Sequence, residues 1–401
     1  MHKSNKNHKI ILVSFIFIHL ILLILTLTGK LNFLFNDASL RKGKGSDFFA
    51  VYQAGNNLIN NKSIYEDTEG ISTLYSFPYR YLPFLGYSLG VFFNIFSPFT
   101  AYAIFILLNE IILFINIFLI FKLSKNNFTL FLISIIPLLF FTPYLIEIYM
   151  GQWSFILGSL LFYCIYGLIN KSKLSHLYIL SPLVKPNALI LVPMLIRFKK
   201  IKLLIITLIG IIFTSLPYFM FYKSDLLVFI QNFKDSWYSH GGNLGFKSLY
   251  YLVAIKYLNI PSPRIWFYLF LLLIILISLY LTFKYKNIIL SYVIWISVYF
   301  LIYKDVWEHH YVLLMPIYSL IIIRYKLYLK KIVKRNNILL LISFILIALP
   351  SLFSLQYIFI RNAPIEPDSL SPMFVIPYHS IKVIGIFLLY LWSIKKITKE
   401  N

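Results

Sequence analysis

Apolar residues arrive in this chain as blocks close to the length of a membrane crossing, one after another from residue 10 to residue 394, with short polar or basic joints between them. About 20 apolar residues make an α-helix long enough to cross a hydrocarbon core of roughly 30 Å. Within that core every backbone N–H and C=O has to be paired inside the protein, which excludes open sheets, and blocks of this length suit helices and not barrel strands. Composition agrees: 60% of the 401 residues are hydrophobic and 13% are charged, against roughly half and a quarter in soluble domains. The mean hydropathy is +0.79. The expected fold is an all-α polytopic membrane protein of about 10–12 transmembrane helices, forming a single integral membrane domain over residues 1–401.

The blocks read as 10–29, 82–97, 99–121, 128–147, 152–170, 174–196, 203–222, 264–283, 287–303, 311–324, 337–357 and 379–394. Two places resist a simple reading. Pro98 splits the second block from the third, and Lys185-Pro186 interrupts the middle of 174–196, which also has basic residues at both ends. A broken or re-entrant helix accommodates the second case, because non-helical backbone is tolerated at membrane depth where it lines a wet cavity.

The formal charge is +23, which in a soluble protein suggests nucleic acid. Here Lys and Arg sit in short clusters between the apolar blocks, so they read as topology signals and no nucleic-acid partner is expected. The lysines before residue 10, Lys171 and Lys173, the run from Arg197 to Lys202, Lys284 and Lys286, the cluster from Arg324 to Arg335, and Lys395-Lys396 would all be cytoplasmic, as would both termini. Arg41-Lys42-Gly43-Lys44-Gly45 opposes this assignment and is outvoted. Residues 10–29 are too long for a signal peptide and lack a small-residue cleavage site, so they are expected to remain as a signal anchor in the inner (plasma) membrane. The single cysteine, Cys164, excludes an internal disulfide framework.

This topology gathers polar chemistry on the extracytoplasmic side: a large first loop at 31–81, the turn from Glu147 to Gln152, a second large loop at 223–263, and the turn from Lys304 to His310. A fifth segment, 358–378, holds Arg361, Asn362, Pro364, Glu366, Pro367 and Asp368. The inner loops offer mainly lysines. Neither a glycine-rich phosphate loop nor a Cys/His cluster of metal-ligand spacing is visible, so nucleotide chemistry has no obvious seat.

Within the first loop, Asp47 precedes Phe48, Tyr52 and Gly55 at helical spacing. It is either a cap or first-turn residue of a helix lying along the membrane surface, or a base able to take a proton from a hydroxyl, and a firmly held cap suits a base. Arg80, between Tyr79 and Tyr81, is a snorkelling interfacial anchor or a phosphate ligand. Gly151 permits a tight turn, and Gln152 starts a helix whose open N–H groups favour hydroxyls or anions. Lys185 is the strongest anomaly, because a lysine far from either end of an apolar block usually faces a cavity or a partner, and Pro186 breaks the helix there. His309 and His310, being adjacent, point to different sides of a helix, and either would donate to a phosphate more readily than build a zinc site. Asn243, in the loop from Gly241 to Leu249, offers hydroxyl contacts or belongs to a flexible linker.

Taken in order, Asp47-Phe48 with Tyr52, Ala54-Gly55 and Tyr65, then Tyr81-Leu82-Pro83, Gly151-Gln152, Lys185-Pro186, Asn243 to Leu249, and His310-Tyr311 resemble glycosyltransferase family 87. These are membrane-embedded transferases of the GT-C type that depend on polyprenol-phosphate-mannose. The chain departs from the family in having a single proline, Pro83, where two are common, and in placing Asn61 and Lys62 where a glycine usually stands. The resemblance implies a GT-C-like bundle and an inverting transfer of a hexose, mannose being expected, from a polyprenyl-phosphate donor to a glycan or glycolipid outside. Asp47 would be the catalytic base. Lys185, His309, His310, Gln152, Tyr52, Arg80 and Asn243 would bind substrate, with no metal or nucleotide cofactor and membrane lipid as the medium. Two rivals stand beside this reading. An O-antigen-type polysaccharide polymerase would want arginine-rich outer loops, and a lipid-linked oligosaccharide flippase would want a counterpart to the Lys185-Pro186 break in the second half.

Overall fold

In the computed structural model the chain is described over residues 2–34, 44–66, 78–231, 242–334, 337–351 and 372–400, and these residues form helices with no strand among them. Arg41, Lys42, Gly43, Gly241 and the 358–370 stretch containing Arg361, Asn362, Pro364, Glu366, Pro367 and Asp368 lie outside the described residues. Five helices are long and apolar enough to cross a membrane: His8–Leu27, Pro98–Leu123, Ile201–Phe221, Pro263–Lys284 and Pro372–Ile397. A sixth results if Phe128–Leu139 and Thr142–Met150 act as one span bent by 43°. The protein is therefore a multi-pass, all-α membrane protein. Its apolar helices turn oily faces outward, with Phe213 77% and Phe221 86% exposed, which is the surface expected against lipid and not water.

The other expected spans are shorter helices, Pro83–Phe93, Ser154–Asn170, Pro186–Arg197, Ile288–Ile302 and Ile338–Ala348, and the expected 311–324 span is the end of a 3-10 turn, Glu308–Leu314, followed by the helix Met315–Arg324. Three of these helices end at a local change of backbone. Lys171 takes a left-handed φ of 53° and closes Ser154–Asn170, while Tyr303 and Leu349 turn extended behind their helices. Lys185, also extended, separates Ser181–Val184 from the 3-10 turn Pro186–Leu191.

The chain forms two compact units. The first comprises Arg41–Ile112 and Glu147–Ser236, and the second comprises Met1–Leu40, Leu113–Ile146 and Trp237–Asn401.

At the centre of the first unit is the Ser46–Ile59 helix. The spacing of Phe48, Tyr52 and Gly55 does mark a helix, but it does not lie along a surface: every residue from Ser46 to Gly55 is buried, as is Asn57. Phe48 packs against Phe93 and Phe105 at ring distances of 5.0 and 5.2 Å, and Phe105 meets Trp153 at 4.9 Å. Two turns further along the same face, backbone approaches backbone. A Cβ added at Gly55 would lie 2.1 Å from the carbonyl carbon of Gly90, in the π turn Gly86–Gly90. The helix ends at Asn60, and Asn61 adopts a left-handed φ of 57°, a conformation asparagine tolerates better than most residues. The loop that a glycine would have turned is thus turned by an asparagine. Asn57 then holds the returning chain through the carbonyls of Ser63 (3.2 Å) and Glu66 (3.0 Å).

The second unit is built around Ile288–Ile302, buried at every position from Ile289 to Leu301. Pro372–Ile397 packs against it and against Ile338–Ala348, closely enough that a Cβ on Gly385 would lie 2.6 Å from Ile347. Ser343 locks the crossing by donating to the Gly385 carbonyl at 2.7 Å and pairing with the Tyr318 hydroxyl at 2.7 Å.

Candidate functional site

In the first unit the structure brings three of the predicted site residues together. Asp47 lies in the first turn of Ser46–Ile59, where the positive end of the helix dipole favours a carboxylate. The helix has no side-chain cap. Gly45, at φ 76°, precedes it and donates its N–H to the carbonyl of Tyr149 at 2.8 Å. Tyr102 reinforces this join, its hydroxyl donating to the carbonyls of Ile148 (2.7 Å) and Tyr149 (3.1 Å). The turn after Met150 is held by Gly151 at φ 71°, where a Cβ would come within 2.5 Å of the Phe48 Cβ. Only glycine lets the 147–155 turn pass this closely behind Asp47.

That turn receives Lys185. Its ammonium, 7% exposed, donates to Gln152 Oε1 at 2.8 Å and to Ser154 Oγ at 2.7 Å. Gln152 Oε1 also accepts from the Tyr81 hydroxyl at 3.2 Å and the Trp153 N–H at 3.3 Å, and the Tyr81 ring lies 5.8 Å from the ammonium. Asp47 and Glu147 both act electrostatically on Lys185. Glu147 is fully buried. Its Oε1 accepts the Phe155 N–H at 2.7 Å and so caps the Ser154–Asn170 helix, while its Oε2 accepts no hydrogen bond from the described residues. One cation therefore stands among two carboxylates, a hydroxyl, an amide and a phenol at the break of a helix.

Glu147, Ser154 and Tyr81 were not among the predicted site residues. Glu147 was legible as a carboxylate at the end of an apolar block, Tyr81 opens a motif that was read and Ser154 follows another; only their convergence on one ammonium was hidden.

Two predicted residues of this unit sit apart from the ammonium's hydrogen bonds. Tyr52 is five residues beyond Asp47, so it leaves the helix on another side, and its hydroxyl donates to the Phe96 carbonyl at 2.9 Å. Arg80 is exposed, as an interfacial anchor would be. Beside it, an aromatic cluster steadies Tyr81: the Tyr65 hydroxyl donates to the Tyr81 carbonyl at 2.7 Å, and Tyr79 packs against Tyr81 at 5.6 Å. Burial, with the nearby Tyr79, Tyr218 and Asp225, holds the Tyr65 phenol far above its ordinary range, so it remains a donor.

Asn243, His309 and His310 belong to the second unit. Asn243 ties two chain segments together, donating to the Lys304 carbonyl at 2.9 Å and accepting from the N–H groups of Gly245 (3.0 Å) and Val306 (3.3 Å). The histidines lie on a 3-10 turn, Glu308–Leu314, both buried, with ring centroids 4.4 Å apart. His310 Nδ1 accepts the Trp307 N–H at 3.0 Å, which fixes its ring.

Next to them is a charged pair that the sequence reading passed over. Lys382, inside Pro372–Ile397, meets Glu308 at 3.1 Å with both side chains fully buried. Lys382 also donates to the carbonyls of Ile347 (2.7 Å) and Leu349, at the C-terminal end of Ile338–Ala348. Glu308 Oε1 accepts the N–H and hydroxyl of Ser351 at 2.7 and 3.0 Å. One turn before Lys382, His379 meets the Asn243 carbonyl through Nδ1 at 2.8 Å. A lysine inside an apolar block was the available signal, the same one that singled out Lys185.

No protein-family model matches the chain, and no curated protein matches it.

Proposed function

We propose that the protein is an inverting glycosyltransferase of the cytoplasmic membrane, moving a hexose, in the first instance mannose, from a polyprenyl-phosphate donor to a hydroxyl of an extracytoplasmic glycan or glycolipid. One observation carries this reading: a buried lysine at a helix break, its ammonium presented by Gln152 and Ser154, with the Asp47 carboxylate acting on it from a helix first turn. A lipid-linked phosphodiester is an anion that enters from the bilayer, and a cation at a broken helix is the group suited to meet it there. In the reaction the acceptor hydroxyl gives its proton to Asp47 as its oxygen attacks the anomeric carbon. The bond from that carbon to the phosphate oxygen breaks, and the configuration inverts. The electron pair leaves with the polyprenyl phosphate, whose added charge is met by Lys185. The phosphate departs as a stable anion, so a second, protonating carboxyl group of the glycosidase kind is not required.

The test is transfer from radiolabelled polyprenyl-phosphate mannose in membranes containing wild type or Asp47→Asn at equal protein level. Wild type is expected to transfer label to an acceptor glycan, and the variant to lose about 100-fold or more in rate, as removal of a general base does. Unchanged transfer by the variant would take Asp47 out of the chemistry. Absence of transfer by the wild type from mannosyl and glucosyl donors alike would remove the reading itself.

A further inference from the structure

The second unit contains a cavity of about 150 Å³ whose lining comes from three helices, Phe128–Leu139, Met315–Arg324 and Ile338–Ala348, and from the turn that follows Arg324. Ile136, Ile322, Leu329, Ile332, Leu341 and Phe344 form most of the wall. The hydroxyl of Tyr318, which also lines it, is spent on Ser343 at 2.7 Å, so that ring too presents carbon to the cavity. A space with such walls does not hold water, because a water needs two or more polar partners. Left empty, it would forfeit packing along three helices. An acyl chain fills it without either cost.

The rim has the opposite character. Leu329 and Ile332 of the wall bracket Lys330 and Lys331 in sequence, and Arg324, Lys326, Lys330, Lys331 and Lys334 are all exposed. Asn127, the N-cap of Phe128–Leu139, donates to the Tyr328 hydroxyl at 2.8 Å, which fixes the basic turn over this end of the helices and adds exposed Lys125 to the same end. No Asp or Glu occurs between Glu308 and Glu366. The acid that does reach this region, Glu400, is bound by Asn287 at 2.7 Å and acts on Tyr325, leaving the cations in excess. A dry slot with a cationic rim matches the two halves of one molecule.

We infer that this cavity is a binding site for a bilayer phospholipid with an anionic headgroup, one acyl chain lying in the slot and the headgroup phosphate on the lysines of the 324–334 turn. This site is separate from the chemistry proposed above and stands or falls without it.

The full chain, purified in detergent, is titrated with palmitoyl-oleoyl phosphatidylglycerol and, in parallel, with the matching phosphatidylcholine, and retained lipid is counted by native mass spectrometry. Phosphatidylglycerol is expected to be retained at least about five-fold over phosphatidylcholine, since each basic residue near an anionic lipid adds favourable energy. Lys330→Gln/Lys331→Gln/Lys334→Gln should bring that preference close to unity while leaving phosphatidylcholine retention as it was. Ile136→Trp and Leu341→Trp, which fill the slot from two helices, should reduce both lipids to background. Equal retention of the two lipids by the wild type overturns the inference, as does undiminished retention by a folded tryptophan variant. As a control that leaves the cavity unaltered, phosphatidylglycerol carrying a diazirine on one acyl chain should photocrosslink to wall residues such as Leu341 and Phe344 of the unchanged protein, and crosslinking that never reaches the wall overturns the inference equally.

Discussion

Lys382 and Glu308 offer the sharpest physical test, because both are fully buried and 3.1 Å apart in a protein whose surroundings are hydrocarbon. With an effective dielectric near 20, two unit charges at this separation attract by about 5 kcal/mol. Most of that is offset by the desolvation of both groups, so the pair as a whole adds little net stability. Removing one partner is another matter. Lys382→Met leaves the Glu308 carboxylate buried without its cation, which costs about 3–5 kcal/mol, and it also strips the carbonyls of Ile347 and Leu349 of a donor. Glu308→Gln keeps the oxygen that Ser351 binds but leaves an uncompensated ammonium, for a loss of about 3 kcal/mol. The double variant Lys382→Met/Glu308→Gln removes both charges and retains the Ser351 contacts. Its loss should be about 3 kcal/mol, the value of two carbonyl hydrogen bonds from a charged donor at about 1.5 each, against about 6–8 for the two single losses added. The four proteins can be compared by tryptophan fluorescence during reversible unfolding in mixed micelles. A double variant as unstable as the sum of the singles would refute the reasoning, because it would mean that the two charges do not feel each other.

Three further outcomes follow from the first unit. Gly55→Ala should abolish recovery of monodisperse protein from detergent, since the new Cβ would sit 2.1 Å from a backbone carbon of Gly90; normal yield would show that this crossing is slack. Lys185→Met should insert and fold while its binding of polyprenyl phosphate, measured by native mass spectrometry, weakens about 10-fold or more, the effect of losing a charged hydrogen bond; loss of the protein from the membrane instead would assign Lys185 to structure. Lys62→Cys should react with an impermeant maleimide on intact cells, because Lys62 is exposed beside the first unit's central helix, whereas the one native thiol, Cys164, is buried. Labelling only after lysis would place this loop inside and overturn the outer-face topology.

How much of this was legible before the structure depends on the range of the interaction concerned. Local patterns were readable: the apolar blocks announce helices, the 48, 52, 55 spacing announces Ser46–Ile59, and Lys185-Pro186 announces a break. What could not be read is what those elements meet. An acid in the first turn of a polar helix looks like a surface residue, yet the helix is enclosed, with Gly151 and Gly55 letting neighbouring backbone come within contact at its two ends. Helical periodicity carries no record of such glycine-mediated approaches. Lys382 likewise could be seen as a charge in an apolar block, but its partner Glu308 lies far back in the chain, in a segment read for its histidines. Asn243 illustrates the converse: a polar residue in a glycine-rich loop looked available for a ligand, and its amide is occupied by the backbone of residues 304–306.

The break at Lys185 also bears on how the protein enters the membrane. The stretch from Lys173 to Val184 and the one from Pro186 to Arg197 each extend only about 20 Å at the rises of 3-10 and α turns. Neither alone spans a core of roughly 30 Å, and the lysine between them discourages the insertion machinery from passing them sideways into lipid as a unit. Their entry has to wait for a partner, and Gln152 together with the Ser154–Asn170 helix, just before them, already displays the oxygen atoms that accept the ammonium. Biogenesis would then proceed by the earlier helix chaperoning the later one, and a chain whose residues 152 and 154 lacked their side-chain oxygens would carry a following hydrophobic segment with nowhere to settle.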